Sequence, residues 1–149
     1  QPWNNTRSIR LFYEQKLIPV CSSQLLARVK HKGVKALAEM THLHMMTRPD
    51  AWMQWYEHNH YEYEPHILAG PRYEVFSMLL AAVDAGLGMG LFPAFIAREH
   101  IKSGRFVMPV QAVLPVDKSY YFGYPDDRKV SEALDLFEQW LVTQAQQPA

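Results

Sequence analysis

The spacing of apolar positions along the chain alternates between a period of two and a period near 3.6, and each switch predicts a change of element. Ile9, Leu11 and Tyr13 alternate with polar neighbours, which predicts a half-buried strand. Leu17–Cys21 is a continuous apolar run of the kind found in central strands, and it stops at Ser22-Ser23. Those serines suit the N-cap of a helix over Gln24–Val29, because a hydroxyl there accepts from the free N–H groups of the first turn. A short helix follows Gly33, with Val34, Leu37 and Ala38 on one face. His42–Met46 reads as a strand, and Pro49-Asp50 opens a helix whose Trp52, Trp55 and Tyr56 share one inward face. The stretch 57–65 is polar and loop-like, His66–Ala69 reads as a short strand, and Gly70-Pro71 as a turn.

Tyr73–Ala85 is the most apolar helix, with Val75, Leu79 and Ala82 on one face and Phe76, Leu80 and Val83 on another. Gly86 ends it, Met89–Phe92 forms a strand stopped by Pro93, and a helix over Ala94–Ile101 closes at Gly104. Phe106–Val110 leads out, Tyr120–Tyr124 forms a further strand, and a last helix spans about Val130–Ala145. Its stripe holds Ala133, Phe137, Trp140, Leu141 and Gln144, and Trp52, Trp55 and Trp140 are assigned to the core. Strands alternating with helices predict an α/β fold with largely parallel strands. The runs at 17–21 and 119–124 are two strands suited to connecting lobes, with a compact α/β unit between them. The start, QPWNNTRSIRLFYEQKL, has no cap and no methionine and reads as a chain met in mid-fold.

Composition narrows the function classes. Among 149 residues, 15 basic and 15 acidic side chains cancel, and no charge run exceeds three residues. That balance leaves no electrostatic footprint for tracking a phosphate backbone, so DNA binding is not expected of this chain. Cys21 is the only cysteine, which precludes an internal disulfide and fits a reducing, cytoplasmic compartment. No apolar run reaches the ~18–20 residues that span a bilayer, and the first residues are not a signal peptide, so no membrane partner is expected.

Candidate chemistry is sparse. Gly86-Leu-Gly-Met-Gly90 follows a helix and precedes a strand, the reverse of the strand–glycine–helix order that brings a phosphate to a helix N-terminus. The better reading is a helix C-cap at Gly86 and close strand packing at Gly88 and Gly90. Seven histidines include His42 and His44 on one strand face and His58, His60 and His66 near one loop, none with the helical spacing of a metal site. They read as exposed or hydrogen-bonded residues, with neither metal nor cofactor expected. Ser22 and Ser77 lie in no nucleophile elbow, Cys21 sits at the end of a buried strand, and Asp126-Asp127 reads as cap and loop. No catalytic constellation emerges, and the chain is expected not to be an enzyme.

Five segments in order and at consistent spacing carry a resemblance: LIPVCSS, RPDAWMQWYEHN, YEVFSMLLAAVDAGLGMGLFPAFI, IKSGRFVMP and YYFGYP…LDLFEQWL. Across residues 3–145 the chain resembles the effector-binding domain of LysR-type transcriptional regulators, in the branch of the glycine-cleavage and β-lactamase regulators. The resemblance implies an α/β fold like type 2 periplasmic binding proteins, two lobes joined by two crossover strands with a ligand between them. Residues 17–119 match effector-binding subdomain II, while 1–16 and 120–149 match remnants of subdomain I, leaving that first lobe incomplete. The family's winged helix-turn-helix lies outside this chain, so DNA is expected as a partner only through that absent domain.

The resemblance implies an effector site at Met46, Thr47 and Arg48, at Tyr73 and Val75 where the buried helix begins, and at Tyr120 and Tyr121 on the returning crossover strand. Arg48 suits a bidentate pair with a carboxylate, and the helix N-terminus suits an anion. Arg48 as a solvated loop residue and the tyrosines as packing residues stay open. Phe76, Leu80 and Val83 are expected to form a subunit interface of a homo-oligomer, since one core covers only one face of their helix. The implied function is sensing of a small, anionic effector in transcription regulation. A solute-binding protein of a transport system, with the same fold, is the alternative.

Overall fold

The computed structural model describes residues 3–14, 16–127 and 131–146. The chain forms two compact units, Lys16–Val116 and the pair Gln1–Gln15 with Asp117–Ala149.

The Lys16–Val116 unit is built on β2 (Lys16–Ser22), whose residues 17–22 are all buried. One strand can be apolar throughout only when both of its faces are covered. Alternate β2 residues accordingly enter different cores. Leu17 and Cys21 join a cluster with Trp52, Trp55, Tyr56, Met89 and Leu91. Ile18 and Val20 join a second cluster with Leu43, Leu79, Val83 and Phe92. The sheet therefore lies between two layers of helix. α1 (Ser23–Arg28), α2 (Val34–Leu37) and α3 (Ala51–His58) contribute to the first, and α4 (Phe76–Asp84) and α5 (Ala94–Lys102) to the second.

Strand order is β4 (Arg72–Tyr73), β3 (His42–Met45), β5 (Met89–Pro93), β2, β6 (Phe106–Val107), with β7 (Leu114–Pro115) also pairing with β2. The expectation of largely parallel strands is corrected. β3 runs parallel to β4 and β5, but β2 is antiparallel to β5, β6 and β7. Apolar periodicity reports burial and is blind to strand direction, which is why the sequence pattern missed it.

Local chemistry sets the element ends. The Ser22 hydroxyl accepts from Leu25 N–H at 3.2 Å and caps α1. Gly86, at φ 75°, follows α4, where its N–H donates to Val83 O and that of Leu87 to Ala82 O. This is the left-handed ending that glycine accommodates without strain. At Gly88 a Cβ would overlap the Thr41 carbonyl oxygen, so close packing of β5 on the 41–42 backbone requires glycine there. Two boundaries differ from the pattern. The expected strand at His66–Ala69 is a 3-10 helix, Pro65–Ala69, with Pro65 in its first turn and Ile67 N–H donating to Glu64 O. The expected helix from Tyr73 begins only at Phe76, because Tyr73 is held in β4 opposite Met45 and Val75 is extended at φ −131°.

The other unit pairs β1 (Thr6–Tyr13) antiparallel with β8 (Ser119–Pro125), and α6 (Glu132–Gln146) packs on β1. The start expected for the last helix, Val130, lies outside the described residues. The assignment of Trp140 to the core is corrected, since it is 55% exposed and stacks on Phe137, itself half exposed. Partial burial instead follows Leu134, Glu138, Leu141, Val142 and Ala145, a helical stripe one step round from the predicted one. A single two-stranded ribbon covers one stripe of one helix and leaves the rest in solvent.

Candidate functional site

Parallel strands converge on one end of the Lys16–Val116 unit. β3 and β4 both end there, and the register of Leu17 with Pro93 and Leu114 puts the start of β2, the end of β5 and β7 at the same end. The chain thus enters and leaves this unit beside the carboxyl ends of β3, β4 and β5, where open α/β sheets hold their ligands. Met46, Thr47 and Arg48 leave β3 there, and Met46 N–H donates to Tyr73 O at 2.8 Å, so the two strand ends are tied together. Met46 is 54% exposed, Thr47 is exposed and Arg48 half-buried. The Arg48 guanidinium stands 5.6 Å from the centre of the Phe76 ring, and the Arg48 backbone N–H donates to Met45 O. Cation–π contact therefore links the 46–48 loop to the first turn of α4. Val75, the N-cap of α4, makes no side-chain cap hydrogen bond to the N–H groups of that turn.

The structure brings Met46, Thr47, Arg48, Tyr73 and Val75 together at this end. Tyr120 and Tyr121 belong to the other unit and, as consecutive strand residues, face opposite sides of β8. Tyr120 stacks on Phe12 with ring centres 4.8 Å apart and donates its hydroxyl to Glu14 Oε2 at 3.2 Å. Tyr121 meets Trp3 edge to face at 5.8 Å. They do not share one surface.

The outward helix face read from the sequence is corrected at Val83, which is 0% exposed and packs in the second core cluster. Phe76 and Leu80 are half-buried against the same cluster, and Ser77, Met78, Ala81 and Asp84 face solvent instead. The nine-residue helix lies closer to the sheet than its apolar residues suggested, because Gly90 brings β5 up against Leu79.

The same strands carry different groups at their other end. His42 and His44 are buried on the β3 face toward α3 and the 3-10 helix. His42 Nδ1 meets Met40 O at 3.1 Å and Nε2 meets the Tyr56 hydroxyl at 2.8 Å. A carbonyl oxygen only accepts, so the neutral ring carries its proton on Nδ1 and receives the phenol proton at Nε2. Burial first, then the nearby His44 and His66, pulls the His42 pKa down from 6.5 to about 4. Burial lowers His44 in the same direction, with Nε2 donating to Ile67 O. A folded pKa below the unfolded one means that acid favours unfolding. The stability held above pH 6.5 is lost between there and pH 4, by about 3 kcal/mol for His42. Urea titrations at pH 7 and pH 4.5 should show this drop, and His42→Gln should shrink it by about 2 kcal/mol.

Cys21 is buried and its thiol is pushed up to about 11 by that burial, which disables it as a nucleophile. No helix of the described residues is long and apolar enough to cross a membrane. Two adjoining cavities of about 450 and 360 Å³ open near the amino end of β3 and share Ala38, His66 and Ile67. The larger is walled by Tyr56, Tyr61 and Tyr63, which the polar reading of 57–65 passed over. The alternation Tyr-Glu-Tyr-Glu at 61–64 was the available signal.

Residues 1–146 match the family model of the LysR substrate binding domain. The chain is 25% identical over 138 residues to the uncharacterized HTH-type transcriptional regulator y4mQ of Sinorhizobium fredii (strain NBRC 101917 / NGR234), covering 89% of this chain and 44% of that regulator. It therefore spans less than half of that relative's length. In fold it is similar to the effector domain of AmpR of Pseudomonas aeruginosa, with a TM-score of 0.78 at 20% identity over 97% of this chain and 67% of that one. The AmpR effector binding domain from Citrobacter freundii gives 0.75 at 20% identity over 96% and 69%. The CrgA regulatory domain from Neisseria meningitidis gives 0.70 at 20% over 97% and 71%. The fold is mixed α/β, like that of the periplasmic-binding-protein-like LysR effector-binding domains. The chain belongs to the LysR substrate binding domain family, the effector-binding part of LysR-type transcription regulators.

Proposed function

We propose that this chain senses a small anionic effector through the carboxyl end of the parallel strands in its Lys16–Val116 unit, and passes that state to a DNA-binding domain of a cytoplasmic, oligomeric regulator. In this reading Lys16–Val116 is subdomain II, the remaining residues belong to subdomain I, and no chemistry is done on the ligand. One observation carries it. The ends of β3 and β4, an α4 first turn without a side-chain cap and the Arg48 guanidinium lie together, beside the point where the chain enters and leaves the unit. A carboxylate placed there would meet the N–H groups of the first turn of α4 and a planar cation, both of which favour negative charge. Met46, Thr47, Tyr73 and Val75 would shape the apolar and polar walls around it. On β8 of the other unit, Tyr121 is exposed and Tyr120 donates to Glu14.

The test uses the full-length regulator and a carboxylic acid selected from a thermal-shift screen. Arg48→Ala should weaken binding by about 1.5–3 kcal/mol, measured by calorimetry, if the contact is charge-assisted. Unchanged affinity would return Arg48 to a solvated loop residue and sink the anion reading.

A further inference from the structure

We propose that the tyrosine-walled cavity of the Lys16–Val116 unit is a second ligand site, selective for a small organic ammonium ion. It lies at the opposite end of β3 from the 46–48 loop. The adjoining smaller cavity is lined by Met40, Thr41 and His42, just where that strand begins. The two sites thus lie toward opposite ends of that strand.

The cavity holds about 450 Å³, within the range that accepts a small molecule. Its base is aromatic and rigid. Tyr56 is buried with its hydroxyl committed to His42 Nε2, and the Tyr63 ring lies 5.2 Å from the Tyr56 ring at 47°. Tyr61 leans on Trp55 at 5.6 Å and 51°. Three tyrosines thus line one space, and an aromatic lining attracts a cation through the ring quadrupoles. Residues 61–64 alternate half-buried and exposed, Tyr61 and Tyr63 inward, Glu62 and Glu64 outward. Both glutamates line the cavity, so its rim is anionic above an aromatic floor.

A carboxylate ligand is repelled by that rim, and a neutral apolar ligand leaves the rim charges unused. An alkylammonium ion uses both. Its charge meets the ring faces and carboxylates while its methyl groups fill the floor. Tyr56 connects the cavity to the buried histidine pair of β3, so occupancy bears on the same strand whose other end carries Met46–Arg48.

The experiment compares choline with its uncharged isostere 3,3-dimethyl-1-butanol by titration calorimetry on the 149-residue chain. Choline should bind saturably with one site, about tenfold tighter than the isostere. The double variant Glu62→Gln/Glu64→Gln changes exposed side chains only. It should reduce that difference, leaving the part owed to the ring faces, and should leave the isostere's affinity as it was. Tyr63→Ala, checked for folding by circular dichroism, should weaken choline by about fivefold. Absence of saturable choline binding, equal affinity for the two probes, or a preference for choline left undiminished by the double variant would each overturn the proposal.

Discussion

Aspartate at Val83 should unfold the Lys16–Val116 unit, while aspartate at Leu80 should leave it folded. Val83 is 0% exposed and packs among Leu79, Phe92 and Val20, with no partner for a charge. An unpaired carboxylate there costs several kcal/mol, by desolvation if it stays ionised or by an upward pKa shift if it does not. Since small domains hold only about 5–15 kcal/mol in total, the loss consumes most of the stability. Leu80 keeps part of its side chain in solvent, and aspartate there costs about 1–2 kcal/mol of lost burial. Thermal melts separate the two variants. Light scattering on Leu80→Asp then tests the oligomer. A fall in mass with the fold retained supports pairing through α4, whereas a parent that is already monomeric removes that proposal.

Alternation and apolar runs located most elements, because burial on one or two faces is what those patterns record. LIPVC was legible as a central strand since both of its faces meet helices, and Trp52, Trp55 and Tyr56 were legible as an inward face at helical spacing. The failures have physical causes. His66–Ala69 is too short for periodicity to distinguish a strand from a helical turn, and Pro65 decided for the 3-10 helix. Val83 was read as outward because α4 is apolar on two faces, and two-faced helices leave the depth of packing undetermined. Trp140 was read as core because bulky aromatics usually are, yet the described part of its unit offers α6 one two-stranded surface.

The candidate site was legible in a different way. Nothing in spacing alone singled out Met46–Arg48, whose neighbours Tyr73 and Val75 lie about 25 residues away in the chain. The resemblance to LysR regulators did so, and the parallel pairing of β3 with β4 supplies the physical reason those segments meet. On β8 of the other unit Tyr120 and Tyr121 part company, since a strand turns consecutive side chains to opposite sides. The solute-binding alternative loses its support to the matching family model, which spans residues 1–146.

Trp55→Ala should cost about 3–5 kcal/mol. The indole is 0% exposed and touches Trp52, Tyr56 and Tyr61 with ring centres 5.1–5.7 Å apart. Its Nε1 donates to Ala112 O at 3.2 Å, and Asn59, one turn on, bonds both Trp55 O and Val113 O. Trp55 is therefore the point at which α3 is fastened to the segment before β7. Truncation to alanine opens a cavity that Tyr61 cannot fill without leaving its place in the tyrosine wall, and it strips Ala112 O of its donor. Trp55→Phe keeps most of the volume and loses the hydrogen bond, so it should cost about 1–2 kcal/mol. Urea denaturation of the two variants measures the difference. Equal losses would mean that the hydrogen bond to Ala112 O, and not the aromatic packing, fastens α3 to the sheet.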